Sequence, residues 1–271
     1  MALIAVLWLV AALSIMVASL STSIRQEART LSGKRDLVAA QAVGDAVVQL
    51  VLQKVRAAER VPDQWSQLNV AYSGQTVVAQ ITPLTGLIDL NQADLPLLSR
   101  LLTVAGELAP ERAAALAQTI IDTRQQRDSR GSVMRFEAEE DLLKVPGVTY
   151  DLYARLVSLV TLEGRGSSRV NAKAAPLPVL LVLANGDART VEMIHAKRLS
   201  GDVGIDMSGL DTALTDSSSS NRLKITAIVP IDTGKSIHVS RSVDVMASAP
   251  DGTPWSTYRT SSSIQATTSE N

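Results

Sequence analysis

Carboxylates carry most of the chemistry open to this 271-residue sequence, because it has no cysteine and only two histidines, His195 and His238. Disulfides and thiolate metal sites are therefore excluded, and little is left for zinc or a histidine base. Four carboxylates crowd together at Glu137, Glu139, Glu140 and Asp141. A close carboxylate pair can share a proton. This spacing, just ahead of an apolar pair of leucines, instead fits acidic residues complementing a helix dipole. A second set, Asp202, Asp206, Asp211 and Asp216, lies in the loop SGDVGIDMSGLDTALTDSSSS. Oxygen-rich loops can hold calcium, but the spacing is not that of an EF-hand. Asp202, Asp206 and Asp211 stand as calcium candidates against the plainer reading of a solvated loop, and no other cofactor is expected. His195, in VEMIHAKR, reads as a surface or partly packed residue, and His238 as the polar side of a strand. With no Gly-x-Ser-x-Gly, His-Glu-x-x-His or Walker A motif, the expectation is a protein that is not an enzyme.

The elements that would position these groups begin with MALIAVLWLVAALSIMVASL. No charged side chain occurs from Met1 to Ile24, and about 20 helical residues cross the roughly 30 Å hydrocarbon core of a bilayer. A membrane anchor is favoured over a cleaved signal peptide, since a basic n-region and an Ala-x-Ala site are missing and the apolar run is long. Arg25, Arg29, Lys34 and Arg35 follow the span, which by the positive-inside rule would leave the body in the cytoplasm unless a short basic leader precedes Met1. Apolar residues then recur at helical spacing to about Arg60: Leu37, Val38, Ala40, Val43, Val47, Leu50, Val51 and Val55. One long helix is expected, half in the membrane and half on a soluble body, with Gly33 and Gly44 as bends. Its apolar positions Val43, Val47, Leu50 and Val51 are read as the face that docks partner helices.

Pro62 ends the helix, and LNVAY, a Ser73-Gly74 turn and QTVVAQI read as a hairpin. Residues 86–165 switch to helical periodicity, with Thr149 as an N-cap after a Pro146-Gly147 turn. A short internal repeat recurs at a displacement of 82 residues: Ala93, Leu95, Pro96 and Leu98 match Ala175, Leu177, Pro178 and Leu180. From Arg222, the runs RLKITAIV and SIHVSRSVDVM alternate as two strands around Asp232-Thr-Gly234. The Ser/Thr-rich end from Asp251 reads as loose. The expected parts are an apolar helix at 1–24, the rest of the helix and first strands at 25–85, an inserted α-domain at 86–200, a C-terminal β part at 201–250 and a flexible tail at 251–271.

Helical hairpins of this kind often hold DNA backbone, so a membrane-anchored helix-hairpin-helix DNA-binding protein of the competence type is the alternative reading. Charge speaks against it. Residues 86–165 carry nine Lys/Arg against twelve Asp/Glu, a net of −3, and the whole chain is at −1. Backbone binding draws its affinity from neutralised phosphates. Val145-Pro146-Gly147-Val148 also stands where a glycine-rich phosphate turn would be needed.

The anchor, the long helix, the β–helical–β order, GLIDLNQAD, DLLKVPGVTYDLYARLVSLVTL and VNAKAAPLPVLLVL together resemble the type II secretion minor pseudopilin K family. Typical members read Asn-x-Asn-x-Ala in the first stretch and Val-Asn-x-Asn-Thr-Ala-Pro in the second. Here Asp89 and Asn91, then Asn171 and Lys173, take the Asn places. The resemblance implies an α+β, pilin-like fold: a long N-terminal helix on a small antiparallel sheet, with a large helix-hairpin-helix or SAM-like α-domain inserted. It implies a minor pseudopilin at the tip of the pseudopilus, held in the bacterial inner membrane by a single pass with its body in the periplasm. Its partners would be the minor pseudopilins I and J, the major pseudopilin G and prepilin peptidase, with no nucleic acid. Most pseudopilins carry glutamate at the fifth mature position; this family lacks it, and Ala5 agrees.

Overall fold

A computed structural model of the chain describes residues 2–58, 60–127, 133–164, 167–200, 204–231 and 234–266, the side chains of 2–5, 9–26 and 28–30 excepted. Helix α1, Ala2–Ala57, is continuous. Its 56 residues give a length of about 84 Å. Strands β1 (Ser66–Tyr72) and β2 (Gln75–Pro83) follow as a hairpin. Its two turn residues, Ser73 and Gly74, both have positive φ, 51° and 78°, as a primed turn between twisted strands requires. A helical insertion then begins. It holds β3 (Ile88–Asp89), α2 (Leu95–Val104), α3 (Pro110–Gln125), α4 (Tyr150–Leu156), β4 (Val160–Thr161), β5 (Val170–Asn171), α5 (Leu177–Leu183), α6 (Ala188–Ser200) and β6 (Thr215–Asp216). The chain returns to the sheet with β7 (Arg222–Ile231), β8 (Lys235–Asp244) and β9 (Ser256–Ala266).

The main sheet is antiparallel in the order β1-β2-β7-β8-β9, so the helical block interrupts it between two neighbouring strands. Period-two alternation puts Val77, Ala79 and Ile81 of β2, Leu223, Ile225, Ala227 and Val229 of β7, and Ile237, Val239 and Val243 of β8 on one buried face. Against that face α1 lays Ala40, Val47, Val48, Val51, Leu52 and Val55. The alternation breaks at Arg241 for a reason. It lies on the core side and reaches Asp45 of α1, Nη2 to Oδ1 2.8 Å. Gly44 is a contact residue rather than a bend: a Cβ there would stand 2.5 Å from Cγ2 of Val239. Only glycine lets the helix axis come this close to β8.

A second, separate core fills the insertion, built from Leu97, Leu98, Leu101 and Leu102 of α2, Ile120 of α3 and Val179, Leu180, Val182 and Leu183 of α5 among others. Leu210 and Leu214 belong to it, and Val170 of β5 pairs with Thr215 of β6. The helical domain therefore runs to about residue 220, past the expected end at 200, because the acidic loop carries the leucines that close its core. The expected loose tail also needs correcting. Residues 256–266 form β9, paired along β8 from Asp244↔Ser256 to Lys235↔Ala266. Ser/Thr-rich composition reports the side chains, while the pairing is made by the main chain.

Candidate functional site

The insertion contains the same small unit twice. In the first, β3 pairs in parallel with β4, Asp89 opposite Thr161, and a polar turn leads into α2 and α3. In the second, β5 pairs in parallel with β6, Asn171 opposite Asp216, and a polar turn leads into α5 and α6. Oδ1 of Asp89 accepts the N–H of Asn91 at 2.8 Å, and Oδ1 of Asn171 accepts the N–H of Lys173 at 3.0 Å. Each unit then ends on an arginine that returns to its own turn. Arg124 donates to the carbonyls of Leu90 (2.6 Å) and Ala93 (2.7 Å). Arg198 donates to those of Ala172 (2.6 Å) and Ala175 (2.7 Å), which are the repeat-equivalent positions. Turn carbonyls with no helix or strand partner are thus satisfied by a fixed fork of donors. The units touch where a Cβ on Gly86 would lie 2.1 Å from the carbonyl oxygen of Ala174.

The electrostatics of the two units differ. Asp89 is buried, and loss of solvation pushes its carboxyl up to about 6, against the opposing pull of the Asn91 amide and Arg124. Among the described residues no carboxylate relieves Arg198, and burial lowers its guanidinium to about 10.

Trp65, Arg222 and an ion cluster fix the helical domain on the sheet. Trp65, ahead of β1, donates its backbone N–H to Lys173 at 3.0 Å. Its ring meets His195 edge-on at 5.6 Å and carries the Arg198 guanidinium at 5.8 Å. Arg222 of β7 pairs with Glu163 and lies over Tyr258 of β9 at 5.5 Å. On the outer sheet face, Arg259 of β9 holds Glu139 at 3.0 Å and Glu140 at 3.2 Å. Burial raises Glu139 and lowers Lys224, and each is held back by the other's charge. Beside this cluster a cleft of about 380 Å³ opens between the outer face of the sheet and the helical domain. Its floor includes a row across four strands, Gln80, Thr226, Ser240 and Ser261.

No known family model matches the chain, and no curated protein matches it. A solved structure is similar in shape. It is a chain of the GspK-GspI-GspJ complex from the type 2 secretion system of enterotoxigenic Escherichia coli, 10% identical, with a TM-score of 0.49. The match covers 88% of this chain and 99% of that one. At that identity it gives no residue a role.

The residues singled out in the sequence fall as follows. The acidic cluster divides. Asp141 caps a turn, accepting from the amides of Glu137 (2.8 Å) and Ala138 (3.0 Å), while Glu139 and Glu140 clasp Arg259. Hydrogen bonding to Lys144, ahead of the amide bonds, holds Asp141 below the usual carboxylate range. Of the calcium candidates, Asp202 lies outside the described residues. Asp206 accepts from the amide of Ser208 at 2.9 Å, and Asp211 pairs with Arg100 at 3.2 Å. Among the described residues no three potential ligands converge. His238 bonds Ser236 at 3.1 Å in the cleft floor, and burial lowers it. Ala5 lies in α1, with its side chain outside the description. Asp94, rather than Asp89 or Asn91, caps α2 through the amide of Leu97 at 3.1 Å. Asn91 instead holds both main-chain groups of Phe136 at 3.0 Å.

The partner-helix face requires a correction. Val47 and Val51 are fully buried on the chain's own sheet and Val43 packs beside them, so they are unavailable to another helix. Leu50 is 40% exposed and Val38 67% exposed. The open face of α1 runs through these two and through Ala39, Ala42, Gln49 and Gln53, of which Gln49 is half-buried and the rest are exposed. Period-3.6 reasoning finds an apolar stripe but cannot say which partner covers it. Arg124, Arg198, Trp65, Lys224 and Arg259 were not found from sequence. For the two arginines a signal exists, since each sits near the end of the second helix after a repeated turn.

Proposed function

We propose that the chain is a membrane-anchored, pilin-like assembly subunit, and specifically a minor pseudopilin at the tip of a type II secretion pseudopilus. There it starts or caps the fibre together with the I and J pseudopilins, with its body in the periplasm. One observation carries the reading: a single unbroken helix serves both ends of the molecule. Among the described side chains it packs on the sheet from about Leu37 onward, and residues 1–24 of the chain include no charged side chain. Near the start, Val6, Leu7 and Trp8 are 61, 67 and 72% exposed, large apolar side chains that the chain itself does not cover. Lipid would cover them. α1 is long and apolar enough to cross a membrane, although the Leu31–Ala57 stretch that meets this measure is the one that packs on the sheet.

The helical domain supports the tip position. It is joined to the sheet beside the far end of α1, where Arg60 and Val61 share a surface hollow with Ser219, Ser220 and Asn221. A bulky domain at the membrane-distal end obstructs further subunits from stacking above it. The residue resemblance through GLIDLNQAD and VNAKAAPLPVLLVL points the same way.

Because the chain has no cysteine, single cysteines give clean crosslinks. Ala42→Cys on the open face of α1 should crosslink in membranes to the helix of another pilin-like subunit, while Val47→Cys on the sheet face should not. Absence of any crosslink from Ala42→Cys and from Leu50→Cys would defeat the assembly reading.

A further inference from the structure

We propose that the cleft between the outer sheet face and the helical domain is a binding site for an uncharged oligosaccharide. Its floor is laid out by the strand register. Gln80 of β2 stands opposite Thr226, Thr226 opposite Ser240, and Ser240 opposite Ser261. These side chains share one face at the spacing of neighbouring strands, about 4.8 Å. The result is a row of hydroxyl and amide groups that both donate and accept. His238 of β8 and Ser263 of β9 stand opposite each other one step along.

Three features select the ligand class. First, the charges at the inner end cancel: Arg259 is taken by Glu139 and Glu140, and Lys224 faces Glu139. A charged ligand would have to break that cluster, whereas a neutral one need not. Second, β2, β7 and β8 are each hydrogen-bonded on both sides. They offer side chains and not the unpaired main chain that captures an extended peptide. Third, aromatic surface adjoins the cleft. Tyr153 of α4 lines the cleft and packs against Tyr150, ring centroids 6.2 Å apart, and Tyr150 is 72% exposed. The chain has only four tyrosines, so this pair, Tyr150 exposed and Tyr153 half-buried, is a concentration of its scarce aromatic surface. A flat ring with a polar tip suits the C–H face of a sugar above a floor that takes its hydroxyls. A volume of about 380 Å³ lies at the small end of ligand sites and has room for two or three sugar rings.

The proposal is independent of the assembly reading, and its test uses the full chain in lipid nanodiscs, since glycoside detergents would present their own sugar heads. Maltotriose and N,N′-diacetylchitobiose are titrated by calorimetry, with a neutral Ser-Gly hexapeptide as comparison. Saturable binding of at least one sugar is expected, weakened at least about tenfold by Tyr150→Ala and by Ser261→Trp, with no binding of the peptide. Both substitutions are at exposed positions, and an unchanged urea melt shows that each variant is folded. If neither sugar binds the unaltered chain, if Ser261→Trp binds as well as the parent, or if the peptide binds equally, the proposal is wrong.

Discussion

The two units of the helical domain share a backbone plan and differ in how they handle charge. In the second, Asn171 accepts from Lys173 through Oδ1 and donates from Nδ2 to the carbonyl of Ser218 at 2.8 Å, two residues beyond its strand partner Asp216. In the first, Asp89 keeps the acceptor half of this arrangement but has no donor to offer. Its Oδ2 lies against Gly164, where a Cβ would come within 2.9 Å. A buried carboxylate is costly unless an opposite charge answers it, and Arg124 does so here. In the second unit Arg198 is the buried ion, facing carbonyls and a Trp65 ring. One turn thus tolerates an acid because its arginine compensates, while the other does with dipoles alone.

The largest effect should come from breaking the first unit. Arg124→Ala strips the donor from the carbonyls of Leu90 and Ala93 and removes the charge opposing Asp89, costing about 3 kcal/mol at neutral pH. In urea melts of the full chain followed by tryptophan fluorescence, that loss should shrink toward about pH 4, where Asp89 is protonated. Arg198→Ala comes next, at about 2 kcal/mol, from the orphaned carbonyls of Ala172 and Ala175 and the lost contact with Trp65. Its cost should be the same across the acid range, because no acid among the described residues acts on it. Equal pH slopes for the two variants would mean that Asp89 is not what separates the units.

Much of the scaffold was legible beforehand. Alternation in RLKITAIV and SIHVSRSVDVM assigned the buried sheet face, and the shift from period two to period 3.6 at residue 86 marked where the insertion leaves the sheet. Four matched residues exposed the duplication. The arginine clamps stayed hidden because Arg124 and Arg198 are 74 residues apart rather than 82: α5 with its following turn is shorter than α2 with its own, and Arg198 also stands one turn nearer the start of its helix. A fixed-offset comparison cannot see a partner that the fold brings back across a helix of different length. Val47 and Val51 went to the wrong partner for a related reason, since sequence shows that a stripe is apolar and not what lies over it. The cleft needed three separate segments, β2, β7 to β9 and α4, to be placed together before its hydroxyl row existed at all.

The smallest and sharpest change turns one unit into the other. Asp89→Asn retains the acceptor for the amide of Asn91 and supplies an Nδ2 donor in the place where Asn171 uses one; the equivalent carbonyl belongs to Glu163, two residues past Thr161. The sign of the pH effect follows from burial. The folded carboxyl titrates at about 6, above its ordinary 3.8, so the protonated form is favoured in the folded state. Its contribution to stability is complete below the unfolded value and is lost as pH rises through the folded one. The parent chain should therefore lose about 2 kcal/mol between about pH 4 and about pH 6 on account of this residue, and Asp89→Asn should remove that slope. At neutral pH the variant should be more stable by about 1 kcal/mol, part of the gain being offset by the lost attraction to Arg124. A variant that keeps the parent's slope would place the titration elsewhere in the domain, with Glu139 beside Lys224 and Arg259 as the next group to change.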